Sequence, residues 1–375
     1  MKKIALWGAG NVGNYIINQK DCPFEIKYVI DSDSKKRGQT IKKILIINPD
    51  DFLQLNFDEF DGILIALSNM NESTKIFNIL RKTYTKRIGF FPHDYIFNSP
   101  INWECIIWLK PTFQVLNYLE INLWNGCNFS CAGCTHLAPL FSKDSEGYSP
   151  EKLKKDMKRI ADFLYIKKIR LLGGEPLLHP QIEECLRIVR EIFPLSQLCI
   201  VSNGILLPSM KESFFYTCYE KKYELNISLY KPVLTKKNQI ELDLKRYGIK
   251  YKFTDEINNF YRTFNPKGNS DKDKAHTSCH MKTCYMLKDS KIYKCPMEGF
   301  IDDFVEYYQL ENITISSDNL GINIYDFEDK RLNYLSDIYQ KPIDTCKFCA
   351  ENGGEFFEWF MTKNPKYTDW VCPYE

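Results

Sequence analysis

Cys127-Asn128-Phe129-Ser130-Cys131-Ala132-Gly133-Cys134 is the stretch that fixes the architecture of this chain. Its three thiols stand at C-x3-C-x2-C spacing, directly after the alternating apolar run Tyr118-Leu119-Glu120-Ile121-Asn122-Leu123-Trp124. A loop leaving a buried strand can wrap three thiolates around one metal centre. A closed structural zinc site takes four ligands, usually as two C-x2-C pairs. A four-iron cluster normally takes four cysteines, so a loop supplying three leaves one iron open to a substrate or cofactor.

Downstream come Leu171-Leu172-Gly173-Gly174-Glu175-Pro176, then Leu177-Leu178-His179-Pro180, Val201-Ser202-Asn203-Gly204 and Asn226-Ile227-Ser228-Leu229. In this order the motifs resemble the radical SAM superfamily. The resemblance implies that Cys127, Cys131 and Cys134 hold a [4Fe–4S] cluster whose open iron chelates S-adenosylmethionine. It implies that Gly173 and Gly174 let backbone approach the methionyl amine and that Glu175 pairs with that ammonium. Ser202, Asn203 and Ser228 are then expected to hold ribose or carboxylate oxygens. The implied reaction is reductive cleavage to a 5′-deoxyadenosyl radical that abstracts hydrogen, fed by a flavodoxin- or ferredoxin-type reductant. The protein supplies orientation and exclusion of water. One departure stands out: the residue before the third cysteine is usually aromatic in this superfamily, and here it is Gly133. Zinc or free cytosolic thiols are the competing reading.

Around these motifs, strand and helix patterns alternate. Pro150 to Phe163 carries Leu153, Met157 and Ile160 at helical spacing, and Ile182 to Ile192 carries Cys185, Leu186 and Val189. Ile169–Leu172, Leu198–Val201, Glu224–Leu229 and Ile249–Phe253 read as strands, and Met210–Tyr219 and Asn238–Tyr247 as helices. Repeated strand–helix units predict a parallel sheet, and the motifs fall at strand C-termini, where such sheets build their sites. The resemblance makes residues 113–270 a partial (β/α)6 barrel. Cys185, Cys199 and Cys218 read as packing residues. His179 reads as a helix start, and His136 is left unassigned.

The N-terminal region, 1–112, opens with Lys3-Ile4-Ala5-Leu6-Trp7, then Gly8-Ala9-Gly10-Asn11-Val12-Gly13, a helix over Asn14 to Lys20, and a strand Phe24–Ile30 ending in Asp31. Strand, G-x-G-x-x-G, helix, strand and acid predict a Rossmann-like doubly wound sheet. Asp61–Leu67 adds a buried strand and Asn71 to Lys82 a helix. Gly8, Gly10 and Gly13 allow a tight turn near a phosphate, and Asp31 can accept a ribose hydroxyl. The region resembles modules of bacterial surface-sugar enzymes, which leaves a nucleotide or nucleotide-sugar, NAD(P), or no ligand as the alternatives.

Residues 271–375 follow a polar stretch, Gly268 to Lys274. They contain Cys279, Cys284, Cys295, Cys346, Cys349 and Cys372. Such a ladder argues for a second metal centre. It resembles the SPASM/twitch extension of radical SAM enzymes, a small α+β domain. That resemblance implies an auxiliary [4Fe–4S] cluster on Cys295, Cys346 and Cys349, with Cys279 and Cys284 competing for the fourth place. Zinc on four of these thiols is the alternative. Asp289-Ser290 occupies the hairpin turn before Lys294-Cys295-Pro296. The aromatic stretch Glu355 to Phe360 reads as core.

Composition sets the bounds. With 375 residues, 44% apolar and 26% charged, the chain supports two or three domains with ordinary cores. A net charge of +2 gives no electrostatic case for nucleic acid. No apolar run approaches the ~20 residues of a membrane helix, and Met1-Lys2-Lys3 is followed by no secretory core. Fourteen clustered cysteines without a signal sequence favour metal ligation in the cytoplasm. The expected activity is radical SAM chemistry, by dehydrogenation or epimerisation, on a carbohydrate or nucleotide-sugar. A peptide- or protein-modifying radical SAM enzyme and a non-enzymatic iron–sulfur or zinc protein are the alternatives.

Overall fold

The computed structural model describes residues 1–92, 95–97, 100–311, 313, 320–326 and 341–373. Residues 327–340 of the expected C-terminal extension thus lie outside the described residues. The chain forms two compact units. One comprises Met1–Asn117, Asp162–Lys167 and Leu195–Gln197; the other comprises Tyr118–Ala161, Lys168–Pro194 and the chain from Leu198 onward.

The first unit is a sheet of β1 (Lys2–Trp7), β2 (Phe24–Ile30), β3 (Thr40–Ile41), β4 (Ile44–Ile47), β5 (Gly62–Ile65), β6 (Arg87–Phe90) and β7 (Ile107–Leu109), in the order β3-β4-β2-β1-β5-β6-β7. The inner pairs β4–β2, β2–β1, β1–β5 and β5–β6 are parallel. The apolar runs Ile4–Trp7 of β1, Ile44–Ile47 and Gly62–Ile65 fit strands covered on both faces, whereas β2 alternates, with Glu25 and Lys27 exposed. Alternate β1 residues enter opposite cores. Ile4 and Leu6 pack with Ile16 and Ile17 of α1 (Asn11–Ile17), whereas Ala5 and Trp7 pack with Phe52 of α2 (Pro49–Leu53) and Phe77 of α3 (Met70–Leu80). This is the expected doubly wound, Rossmann-like topology. Helix α1 starts three residues earlier than expected, directly from Gly10.

The second sheet contains β8 (Gln114–Trp124), β9 (Leu164–Gly173), β10 (Gln197–Ser202), β11 (Tyr223–Ile227) and β12 (Tyr251–Phe253) side by side in chain order. Helices α4 (Pro150–Ala161), α5 (Ile182–Ile192), α6 (Glu212–Glu220), α7 (Lys231–Leu234) and α8 (Lys237–Arg246) fill the connections. Leu153, Met157 and Ile160 of α4 are buried, as their spacing requires.

On the far edge of β8 the sheet continues through a later part of the chain. After β13 (Asn259–Arg262) and α9 (Lys272–Ser278), β14 (Met286–Lys288) pairs parallel with β8, and β15 (Lys291–Tyr293) and β16 (Ile322–Asn323) follow. The β14–β15 turn places Asp289 and Ser290 at φ 48 and 62, the left-handed pair that a tight two-residue hairpin demands. Ser290 Oγ donates to the buried Asp156 of α4 at 2.8 Å, anchoring a turn that lacks glycine.

Two expectations need correction. The polar stretch Gly268 to Lys274 is not all linker: Asp271 caps α9, accepting from the backbone N–H groups of Asp273 and Lys274. The stretch Glu355 to Phe360 is not core. It forms β17 (Glu355–Glu358) against β13, and a two-stranded ribbon leaves one face wet, so Phe356 and Phe360 are exposed. No helix among the described residues is long and apolar enough to cross a membrane.

Candidate active site

The loops after β8 and β9 are joined backbone to backbone. Gly174 N–H donates to Trp124 O at 2.7 Å and Glu175 N–H to Gly126 O at 2.8 Å. This closeness explains both glycines. A Cβ on Gly173 would stand 2.1 Å from Trp124 O, and one on Gly174 2.2 Å from Gly126 O. The glycines admit the neighbouring strand end in the first instance, and both then front the cavity described below.

Glu175 is buried and its carboxylate faces the next strand end. It accepts from Ser202 Oγ at 2.7 Å, Asn203 N–H at 2.9 Å and Leu177 N–H at 3.1 Å. Burial raises its pKa to about 7 against the pull of those donors. Asn203 in turn donates from Nδ2 to Asn128 Oδ1 at 2.7 Å, gripping the cysteine loop. Ser228 N–H donates to Ser202 O at 2.9 Å.

Cys127, Cys131 and Cys134 front a single cavity of about 380 Å³, with Gly173, Gly174, Ser202, Asn203 and Ser228 on the adjoining wall. Burial pushes the Cys131 thiol up to about 12 and raises Cys127 and Cys134; for Cys127 and Cys131, neighbouring thiols push the same way. Three thiols whose ionisation burial opposes need a cationic partner to become thiolates. An iron–sulfur cluster is such a partner, and the donor set fits one. Among the described residues, no three His, Cys, Asp or Glu side chains converge on a single-ion position.

The same cavity is also lined by a polar group that the motifs do not foretell. Tyr118 OH and Arg170 Nη1 both reach Glu120 Oε1, while Glu120 Oε2 and His136 Nε2 face each other at 4.0 Å. Neither of the last two atoms has a hydrogen-bond partner among the described residues, although both are buried. Burial lowers the His136 pKa, and Glu120 opposes that shift. Glu120 and Arg170 are charged residues flanked by apolar neighbours within β8 and β9, which was the available signal.

Cys279 and Cys349 also front this cavity. Behind them Cys279, Cys295, Cys346 and Cys349 together line a second, small space of about 20 Å³. Cys284 does not line that space; its ionisable neighbours are Glu120, Arg170 and Cys279 itself. His179 Nε2 donates to Tyr148 O at 2.7 Å while Nδ1 accepts from Gln181 N–H, a structural contact, and Cys185, Cys199 and Cys218 are fully buried.

In the first unit, Gly8 takes φ +121 and a Cβ there would stand 2.7 Å from Ala66 O. A Cβ on Gly13 would overlap Gly8 O at 1.9 Å, so this glycine lets α1 pack on the loop. Gly10 meets nothing within 4 Å. Asp31 Oδ2 accepts from Ala9 N–H at 2.8 Å and from Lys36 Nζ at 3.1 Å, so this carboxylate already braces the glycine loop.

Residues 121–215 match the radical SAM superfamily, and residues 1–81 match a family described as C2185-like, N-terminal. Over part of its length the chain is similar to GTP 3′,8-cyclases. With that of Microcystis aeruginosa it is 32% identical over 118 residues, 30% of this chain and 34% of that protein. With that of Pelotomaculum thermopropionicum it is 35% identical over 103 residues, 27% and 31%. The chain thus spans about a third of the length of these relatives. Among solved structures it is similar to anSMEcpe with bound AdoMet and Cp18Cys peptide, with TM-score 0.40 and 14% identity over 64% of this chain and 88% of that one. Streptococcus suis SuiB gives TM-score 0.30 and 17% identity over 38% and 33%. The chain carries a radical SAM domain, whose cofactors are a [4Fe–4S] cluster and S-adenosylmethionine.

Proposed function

We propose that this chain oxidises a secondary alcohol of a carbohydrate or nucleotide-sugar to a ketone. The observation that carries this reading is that two groups of thiols front one cavity: Cys127, Cys131 and Cys134 on one side, Cys279 and Cys349 on the other. When bound, S-adenosylmethionine and the cluster on the first group supply a carbon-centred radical that takes a hydrogen atom. The substrate radical left behind must lose one electron and its hydroxyl proton to become a ketone. Cys279, Cys295, Cys346 and Cys349 would hold an auxiliary [4Fe–4S] cluster, which would supply an acceptor for that electron, and Cys284 would stay free of it. Glu120 Oε2, buried and unpartnered among the described residues, accepts the proton, while Arg170 and Tyr118 hold the other carboxylate oxygen.

In this reading Gly173 and Gly174 hold the loop and Glu175 fixes Ser202 and Asn203. Ser202, Asn203 and Ser228 then present polar groups to the cofactor. Gly8, Gly10, Gly13 and Asp31 form a nucleotide or nucleotide-sugar site on the first unit, with Gly10 as the position open to ligand. The electron that starts each turnover comes from a flavodoxin- or ferredoxin-type protein in the cytoplasm, where free cysteines persist.

The test is anaerobic turnover of the reconstituted chain with a panel of nucleotide-sugars in deuterated buffer. A ketone product with 5′-deoxyadenosine is expected. Deuterium at a substrate carbon without a ketone means epimerisation instead. No 5′-deoxyadenosine under full reduction sinks the enzymatic reading.

A further inference from the structure

The C-terminal segment after β17 lies along the cysteine loop. Ala132 N–H donates to Phe360 O at 3.1 Å and Thr362 N–H to Ser130 O at 2.8 Å, and Cys131 and Met361 form an antiparallel bridge between them. Gly133 makes this docking feasible. It sits at φ +69, and a Cβ there would stand 2.8 Å from the Phe357 ring. A larger residue before the third cysteine would push the segment off the loop. The glycine that departs from the superfamily pattern therefore has a partner, distant in sequence, that fills its space.

The same segment carries Trp359 beside Cys131. The indole Nε1 is buried and makes no hydrogen bond among the described residues; the Cys131–Met361 bridge carries Trp359 to the cysteine loop, and its nearness works against the burial that raises the Cys131 thiol's pKa. Tyr230 holds the ring from the other side, with ring centroids 5.2 Å apart. The other two thiols draw N–H donors from their own loop: Cys127 Sγ accepts from Phe129 N–H at 3.3 Å, and Cys134 from the backbone at 136–138. Cys127 Sγ is also approached from outside the loop, by Asn203 Nδ2 at 4.0 Å.

We propose that Trp359 is a positioning residue whose indole N–H donates to the Cys131 sulfur once that sulfur ligates the cluster, and that the C-terminal segment thereby raises the cluster's reduction potential. A buried donor without an acceptor is costly, and a metal-bound thiolate is a far better acceptor than a thiol. Hydrogen bonds to cluster sulfurs stabilise the reduced, more negative state and so move the potential upward. This rests on the reading that Cys131 holds the S-adenosylmethionine cluster.

The experiment compares full-length wild type with Trp359→Phe, both reconstituted anaerobically, by iron and sulfide counts and by a redox titration followed by electron paramagnetic resonance. Signals that change on adding S-adenosylmethionine identify the relevant cluster. Expected are an unchanged metal count and a midpoint shifted to more negative potential. An unchanged midpoint overturns the proposal. If Trp359→Phe fails to load, benzothienylalanine at position 359, which keeps the shape but lacks the N–H, must show the negative shift; a wild-type midpoint there overturns the proposal. A wild-type chain with no signal responsive to S-adenosylmethionine would overturn the cluster reading itself, and the tryptophan assignment with it.

Discussion

Ser202 Oγ donates to Glu175 Oε1 across 2.7 Å, linking the ends of β9 and β10 behind the cavity wall. With Leu177 N–H on the same oxygen and Asn203 N–H on the other, the carboxylate is surrounded by donors. Glu175→Gln places an amide among them, so at least one donor loses its acceptor and meets another donor. Burial raises the Glu175 pKa to about 7 despite those donors, so the wild type loses stability as pH rises from about 4.5 to about 7, a dependence that Glu175→Gln removes. Urea midpoints of the metal-free chain at pH 5 and pH 8 measure it: the variant should gain on the wild type at the higher pH, and parallel curves would mean that Glu175 is not a buried carboxylate.

The glycines divide into two kinds, and alanine separates them. Gly174→Ala drives a Cβ into Gly126 O, and Gly13→Ala drives one into Gly8 O. Each should lower stability by about 1–3 kcal/mol or more. Gly10→Ala meets nothing within 4 Å, at φ −84, and should leave the melting temperature unchanged. If the first unit binds a nucleotide-sugar, Gly10→Ala should lose the ligand-induced stabilisation alone. Equal ligand response in both chains would remove Gly10 from any site.

The choice between Cys279 and Cys284 is open to counting. Cys279 shares its small space with Cys295, Cys346 and Cys349, whereas Cys284 neighbours Glu120 and Arg170. Cys279→Ala should reduce reconstituted iron from about eight to about four per chain, and Cys284→Ala should leave about eight. The reverse pattern would hand the fourth ligand to Cys284.

Why the sequence leaves this choice open is a matter of local geometry. The two cysteines are five residues apart, and either fits a ligand ladder. Only the end of α9 at Ser278 and the bond from Glu120 N–H to Tyr285 O, at 2.7 Å, send them to different neighbours. The loop Cys127–Cys134 and the Gly173–Glu175 turn were legible because their chemistry is local: ligand spacing, and backbone packing that tolerates no Cβ. The Glu120–Arg170–His136 group was not, because β8, β9 and the cysteine loop must meet before it exists. Glu355 to Phe360 misled because an aromatic run is core only when both faces are covered, and β17 pairs with β13 alone among the described strands.

Lys167 offers a test by pH that is independent of any cofactor. Its Nζ is buried in the first unit, donating to Ser73 Oγ at 2.8 Å and Met70 O at 3.1 Å and lying 5.0 Å from the centre of the Phe90 ring. Among the described residues no carboxylate balances it, so burial lowers its pKa from 10.5 to about 7. Between those values the unfolded chain holds a proton that the folded chain has released. Stability therefore rises with pH from about 7 towards 10.5, by about 1.4 kcal/mol per unit from this one group, and is flat below. Lys167→Met removes the titration. Urea midpoints collected between about pH 7 and 9.5 should show the wild type gaining on Lys167→Met as pH rises, and parallel curves would show that the ammonium is solvated or paired after all.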